Sequence, residues 1–371
     1  MTEENYMKRC LELALRGAGS ASPNPMVGCV IVHRGRIIGE GWHRRCGEAH
    51  AEVNAVADAE ARGCGAWLPE STLYVSLEPC SHWGRTPPCA ELIIAKRIPR
   101  VVVGCIDSYC EVSGRGVRRL REAGVEVRVG LLEQECLHLN RRFFTAQNLG
   151  RPYVILKWAQ TADGYLDAVR PGPEVPAAWM TGEAARVLVH RWRAEEDAIL
   201  VGAETARMDD PSLTVRAWEG RNPLRVVVDR RLTLPEGLKL FGDGAARTVL
   251  FTAPERCAEA RARFADRPEV AVEGLGGGLE ELLRVLAGES YRVQSLIVEG
   301  GRRMLEAFIG AGLWDEARVF TSRLSVRELY PEPVAPWRGG VAAPVLPPDA
   351  RRVGEVEPMG LRLYRRLSTG R

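Results

Sequence analysis

Short β-rich apolar runs alternate with helix-length amphipathic stretches along this chain, and that alternation confines it to α/β architectures. Near the start, Met7, Cys10, Leu11 and Ala14 recur at helical spacing until Gly17 and Gly19 end the helix. "VGCVIVHRGRIIGEG" predicts a hairpin turning at Arg34-Gly35. A helix over about 51–62 follows, then the strand "TLYVSL", a loop, the helix "CAELIIAK" behind Pro88, the strand "RVVVGC", the helix "GVRRLREAG" and the strand "VEVRVG". That order suits a largely parallel sheet covered on both faces, with one antiparallel hairpin at its edge. After a polar helix reaching "FFTAQNLGRP" the pattern restarts, with strands at "YVILKW", "DAILVG", "LRVVVD", "RTVLFT" and "SLIVEGG" and helical stretches such as "GEAARVLVHRWRAEE" and "GLEELLRVLAG". A chain of 371 residues is longer than one hydrophobic core usually serves, so two α/β domains are expected, 1–148 and 149–371, meeting at "LGRP". The proline-rich "LYPEPVAPWRGGVAAPVLPPDA" reads as an irregular surface excursion.

Apolar residues at 46% and charged residues at 27% belong to the soluble globular class, and no apolar run is long enough to cross a bilayer. The N-terminal "MTEENYMKRCLELALRG" opens acidic and amphipathic, unlike a signal peptide, which gives a cytoplasmic expectation and no membrane partner. The formal net charge of +3 comes from interspersed charges, which is no nucleic-acid footprint. Ten irregularly spaced cysteines, all but Cys257 before residue 140, argue for reduced thiols. The basic residues are almost all arginine; Lys8, Lys96, Lys157 and Lys239 are the only lysines, so Lys157 inside an apolar strand needs a reason.

The segment "HAEVNAVADA" opens with His50 and Glu52, a pair that arises easily by chance at the start of an alanine-rich helix. Downstream, "LEPCSHWGRTPPCAEL" places Cys80 and Cys89 around a loop that feeds a helix. Taken singly, each thiol could simply be buried. Together, one imidazole and two thiols make a three-ligand zinc site with an open position, the catalytic form, in which bound water becomes a nucleophile. Glu52, beside a ligand, is placed to shuttle protons. His50 and Cys89 each begin a helix, and the positive helix ends favour thiolate. "HAE" and "EPC" match the zinc-deaminase signature, except that the second cysteine follows nine residues after the first instead of three. His82, inside the loop, is a candidate fourth ligand but is expected to meet substrate or solvent. A nucleic-acid deaminase would need a basic track and stacking aromatics, which the even charge does not offer, and a module with a structural zinc would leave Glu52 without a duty.

The longer cysteine spacing, with "PNPMVG" at 23–28, "GWH" at 41–43, "HAE" and "EPCSHWGRTPPC", resembles the deaminase half of the bifunctional riboflavin biosynthesis deaminase-reductases. "WMTGEAAR", "AILVGAETARMDDPSLTVR" and "VEGG" resemble the reductase half, so the likeness covers nearly the whole chain. It implies a cytidine-deaminase-like α/β/α domain followed by a dihydrofolate-reductase-like α/β domain, with Zn2+ and NADPH as cofactors. It also implies a pyrimidine nucleotide substrate, deaminated first and then reduced from ribosyl to ribityl, in a homo-oligomer. By the same resemblance Asn24 and His43 hold the deaminase substrate, while Gln160, Trp179, Thr205, Asp209, Gly301, Arg302 and Arg303 bind NADPH. Arg193, Leu213, Arg216 and Glu299 would meet the reductase substrate, with Lys157 near its ribose or the nicotinamide. Each has a plainer reading: Asn24 in a turn, Trp179 as core filling, Asp209-Asp210-Pro211 as a turn, Lys157 as a snorkelling edge residue. The chain departs from the family pattern at Gln160, Ala177 and Arg230, and at "IDSYCEVSGRG" and "TSRLSVRELYPEP". The alternative those departures raise is an active deaminase carrying a degenerate, non-catalytic reductase-like domain.

Overall fold

The computed structural model describes residues 2–81, 87–107, 114–330 and 339–366. Its backbone divides into two compact units, Met1–Gly150 and Arg151–Arg371.

The first unit runs α1 (Glu3–Leu15), β1 (Gly28–His33), β2 (Arg36–Trp42), α2 (Ala51–Ala61), β3 (Thr72–Leu77), α3 (Cys89–Ala95), β4 (Arg100–Cys105), α4 (Arg115–Glu122), β5 (Glu126–Val129), α5 (Glu133–Leu139) and α6 (Arg141–Leu149). Its five strands lie in the order β2-β1-β3-β4-β5. The β1–β2 hairpin is antiparallel and sits at the edge, and β3, β4 and β5 are parallel. Arg34 (φ 45°) and Gly35 (φ 80°) turn the hairpin with two left-handed residues, the geometry that matches strand twist. Alternate residues of each strand feed opposite faces. Cys29, Ile31, Leu73, Val75, Val101 and Val103 pack with Ala51, Ala55, Ala59 and Ile93. Val30, Tyr74, Val102 and Cys105 pack on the other side with Tyr6, Met7, Cys10 and Leu13. Helix α2 rests directly on β2 because glycines face it: a Cβ on Gly39 would stand 2.3 Å from the Ala55 carbonyl oxygen, and one on Gly41 2.4 Å from that of Ala51.

The second unit continues with β6 (Tyr153–Gln160), β7 (Tyr165–Ala168), α7 (Glu183–Glu195), β8 (Ala198–Gly202), α8 (Ala203–Asp209), β9 (Leu224–Val228), α9 (Lys239–Gly242), β10 (Thr248–Thr252), α10 (Cys257–Arg263) and β11 (Val270–Gly274). It ends with α11 (Leu279–Ala287), β12 (Ser295–Val298), α12 (Arg302–Gly310), β13 (Glu316–Thr321), α13 (Val326–Leu329), β14 (Gly340–Ala342), β15 (Ala350–Val356) and β16 (Leu361–Arg366). Nine strands form one sheet in the order β11-β10-β9-β8-β12-β6-β13-β16-β15, and β14 pairs with β7. The sheet is parallel from β11 to β13, and β16 and β15 close it antiparallel. Strand β6 lies between β12 and β13, so Lys157 is in a central strand and the edge-residue reading of it is incorrect. Five strands of this sheet are legible as apolar runs; β13, β15 and β16 are interrupted by charged residues, and β11 is a short "VAVEG" that ends on Glu273 and Gly274. The proline-rich excursion includes strand β14, while its residues 331–338 lie outside the described part, as do residues 108–113 of "IDSYCEVSGRG". Among the described residues no helix is long and apolar enough to cross a membrane.

Candidate active sites

In the first unit, the chain ends its strands and begins its helices at one place. His50 is the N-cap of α2 with extended backbone, Cys80 lies in the loop beyond β3, and Cys89 is the first residue of α3 behind Pro88. His50 Nδ1 stands 3.6 Å from Cys80 Sγ and 3.4 Å from Cys89 Sγ, and the three donor atoms all lie within 4.8 Å of one another. A tetrahedral zinc with ordinary Zn–S and Zn–N bonds separates sulfur from nitrogen by about 3.6 Å, so the donor set fits that ion without rearrangement. The Cys89 backbone N–H donates to Cys80 Sγ at 3.3 Å. Hydrogen bonds from Cys89 and His50 hold the Cys80 thiol down at about 4 against its burial, and the thiol of Cys89, beside that sulfur, is raised. Contact with Cys80 raises His50. His82 lies outside the described residues, and among those described no fourth His, Cys, Asp or Glu joins the group.

Glu52, in the first turn of α2, is 3% exposed. Burial pushes its carboxyl up to about 7, with the neighbouring Cys80 adding to the rise. An acid that exchanges its proton near neutrality, beside a candidate metal site, suits general acid/base work. His43 lies edge-on to His50, ring centroids 5.4 Å apart, and its Nε2 is 3.1 Å from the Asn24 amide nitrogen. Burial lowers its pKa. Glu78, the acid of "EPC", went unread in the sequence. Its carboxylate accepts from the backbone N–H groups of Gly114 (2.9 Å), Gly116 (2.8 Å) and Val117 (3.1 Å), tying the loop that carries Cys80 to the start of α4. A Cβ on Gly116 would stand 1.9 Å from the Pro79 carbonyl oxygen, so the loop and α4 meet backbone to backbone.

In the second unit, the polar residues gather at the carboxyl ends of the neighbouring parallel strands β8, β12 and β6, where ligands bind in open α/β sheets. Glu299, just past β12, accepts from Arg193 Nη2 at 2.8 Å and lies 3.9 Å from Lys157 Nζ. Burial alone would raise the Glu299 carboxyl, but Arg193 and Lys157 outweigh it and hold the group at about 2. Burial lowers Lys157, against the pull of Glu299. Arg193 Nη1 also reaches the Thr214 carbonyl, and Arg216 Nη1 donates to Thr214 Oγ1 at 3.1 Å. Gly301, the N-cap of α12, donates its N–H to Thr205 Oγ1 at 2.8 Å, joining the starts of α8 and α12.

Residues 1–105 match the family model of the cytidine and deoxycytidylate deaminase zinc-binding region, and residues 152–322 match that of the RibD C-terminal domain. The chain is 40% identical over 319 residues to riboflavin biosynthesis protein RibD of Aquifex aeolicus (strain VF5), covering 86% of each. To the RibD of Bacillus amyloliquefaciens it is 42% identical over 325 residues, 86% of this chain and 84% of the relative. The chain belongs to the RibD family. A solved Thermotoga maritima structure, a diaminohydroxyphosphoribosylaminopyrimidine deaminase/5-amino-6-(5-phosphoribosylamino)uracil reductase, matches with a TM-score of 0.82 at 34% identity over 98% of both chains. As a RibD chain it is a bifunctional enzyme of riboflavin biosynthesis with a zinc-binding deaminase-type half and a reductase half. The alternative of a degenerate second half is not favoured, since the RibD relatives span both units.

The remaining residues implied by the RibD resemblance fall outside these two clusters. Trp179 is 71% exposed with the Arg186 guanidinium 5.0 Å above its ring, so it does not fill the core. Asp209 bonds Arg170, which also donates to Asp167 at 2.8 Å. Gln160 accepts from Trp158 Nε1 at 2.9 Å. The Leu213 side chain is buried in the core, with φ 53° at its backbone. Arg302, paired with Glu306 at 2.7 Å, and Arg303 are exposed in the first turn of α12. Sequence reasoning missed His190, whose Nδ1 accepts from the Arg216 backbone N–H at 3.1 Å. Its position one helical turn before Arg193 was the available signal.

Proposed function

We propose that the first unit hydrolyses the 2-amino group of 2,5-diamino-6-(ribosylamino)-4-pyrimidinone 5′-phosphate, and that the second reduces the ribosyl group of the product to ribityl with NADPH. The observation that carries this reading is the meeting of His50, Cys80 and Cys89 at zinc-ligand separations beside the buried acid Glu52. Zinc held by His50, Cys80 and Cys89 would supply Lewis acidity and an activated water. As the water oxygen bonds to the amino-bearing ring carbon, Glu52 takes a proton from the water and delivers it to the ring nitrogen, then carries the second proton from the new hydroxyl to the leaving amine, so that the C–N bond breaks and ammonia departs. Its carboxyl, raised by burial, is basic enough to accept and acidic enough to return the proton. Asn24 and His43 form the neighbouring wall.

For the reduction, NADPH would supply a hydride for the anomeric carbon, and the residues of the second unit would have to give a proton to the ring oxygen as its bond to that carbon breaks. Lys157, buried and close to Glu299, is the group suited to give that proton. Arg193 and Arg216 offer planar guanidinium donors to the 5′-phosphate, and Leu213 contributes through its backbone. The starts of α8 and α12, with Thr205, Gly301, Arg302 and Arg303, suit the cofactor phosphates, and Gln160, Trp179 and Asp209 complete the cofactor's surroundings. The test is incubation with the diaminopyrimidinone nucleotide, with and without NADPH, following ammonia and cofactor together. Ammonia is expected in both cases and NADPH oxidation only as deaminated product accumulates. Absence of ammonia release by zinc-loaded protein overturns the reading.

A further inference from the structure

Residues 43–49 connect the edge strand β2 to α2, and residues 44–48 of that connection are exposed. A metal ligand at the end of such a stretch needs something else to hold it. Asn54, one turn into α2, uses its side-chain amide for this: Nδ2 donates to the Trp42 carbonyl at 2.8 Å and to the Ala49 carbonyl at 3.2 Å. One residue thereby ties the last residue of β2 to the residue before His50, closing both ends of the connection. The Ala49 carbonyl also accepts from His43 Nδ1 at 3.1 Å. A carbonyl can only accept, so the Nδ1 of His43 carries the proton there, and in the neutral ring Nε2 takes its hydrogen from Asn24. Both donors grip the peptide that leads into His50, and its orientation sets where His50 Nδ1 points.

We propose that Asn54 is a positioning residue of the metal centre, clamping the β2–α2 connection so that His50 stays on the ion with Cys80 and Cys89. This rests on the reading of those three residues as zinc ligands. Groups that orient a ligand in this way typically govern metal affinity by about 10- to 100-fold. Asn54→Asp is the sharpest perturbation, since it keeps the shape but turns a carboxylate oxygen toward two carbonyls; Asn54→Ala removes both bonds, and Asn54→Ser retains one donor.

The test uses the zinc-loaded full chain and a chromogenic chelator, with the absorption spectrum of the cobalt-substituted protein as a second readout. Asn54→Asp and Asn54→Ala are expected to release zinc about tenfold or more faster than the parent, Asn54→Ser to fall between, and the cobalt bands to shift. Reduction of deaminated nucleotide by the second unit should be unchanged. Release within twofold of the parent and superimposable cobalt spectra in all three variants overturn the proposal, whatever happens to thermal stability, because loop closure alone would then explain Asn54. If one variant does not fold, the others still decide. A parent chain that retains no zinc under the same treatment overturns the ligand reading itself, and this proposal with it.

Discussion

Replacing Arg193 by methionine removes the guanidinium bonded to Glu299 at 2.8 Å and leaves Lys157, 3.9 Å away, as the nearest compensating charge. Glu299 is held at about 2 against an ordinary 4.5. At roughly 1.4 kcal/mol per pKa unit, that depression corresponds to about 3–4 kcal/mol at neutral pH for Arg193 and Lys157 together, net of burial. Breaking a buried pair from one side typically costs about 3–5 kcal/mol, and with Lys157 left in place the lower end of that range is expected. The sign follows from the depressed folded-state value: the stabilisation is complete above pH 4.5 and is lost as pH falls through 4.5 toward 2. Hydrogen exchange by mass spectrometry in peptides of α7 and β12 isolates this part of the molecule from the first unit. Arg193→Met should lower protection there by about 3 kcal/mol at pH 7, and the difference from the parent should shrink as the pH is brought to 3. A loss below about 1 kcal/mol, the scale of an exposed pair, or a loss equal at pH 6 and pH 3, would refute the assignment of a buried, charged Glu299.

Glu52→Ala should lower deamination by about 10²- to 10⁴-fold while zinc content, measured by metal analysis, and reductase turnover stay at parent values. Stripping zinc with a chelator should stop ammonia release yet leave NADPH oxidation with deaminated nucleotide intact, and readded zinc should restore the first activity. Gly41→Ala places a methyl 2.4 Å from the Ala51 carbonyl oxygen and the Ala55 nitrogen. It should destabilise the first unit by about 1–3 kcal/mol, read from urea unfolding, and loosen zinc with it. Thr205→Val deletes the acceptor of the Gly301 N–H, and a loss of about 1 kcal/mol should appear as a severalfold higher KM for NADPH with deamination untouched.

Much of this molecule is written in local patterns. Strands with apolar runs, such as "RVVVGC" and "YVILKW", announce themselves because burial on both faces demands them, and the turn at Arg34-Gly35 follows from neighbouring residues alone. The donor set of the candidate metal centre is equally legible: an imidazole and two thiols with helix-start signals, and an acid beside them, stand out whatever their distance apart in the chain, and the fold brings the three donors together. Strand β13 shows the opposite case. "EARVFT" alternates charge with apolar residues and reads as half exposed, yet Glu316 and Arg318 are both buried. Arg318 bonds Glu316 at 2.7 Å and Glu196 at 3.1 Å and lies 4.4 Å over the Trp192 ring. Those last two partners come from the end of α7, far away in sequence.

Lys157 and Asn54 make the same point about function. Nothing adjacent to Lys157 reveals that β6 becomes a central strand with Glu299 at hand, and nothing in "HAEVNA" reveals that the asparagine amide reaches back to Trp42 and Ala49. Residue types and their period establish which groups are available and which segments are helix or strand, since those depend on interactions a few residues long. Whether a buried charge is compensated, a ligand aimed or a carboxyl raised depends on what packs against it, and only the folded chain brings those partners within reach.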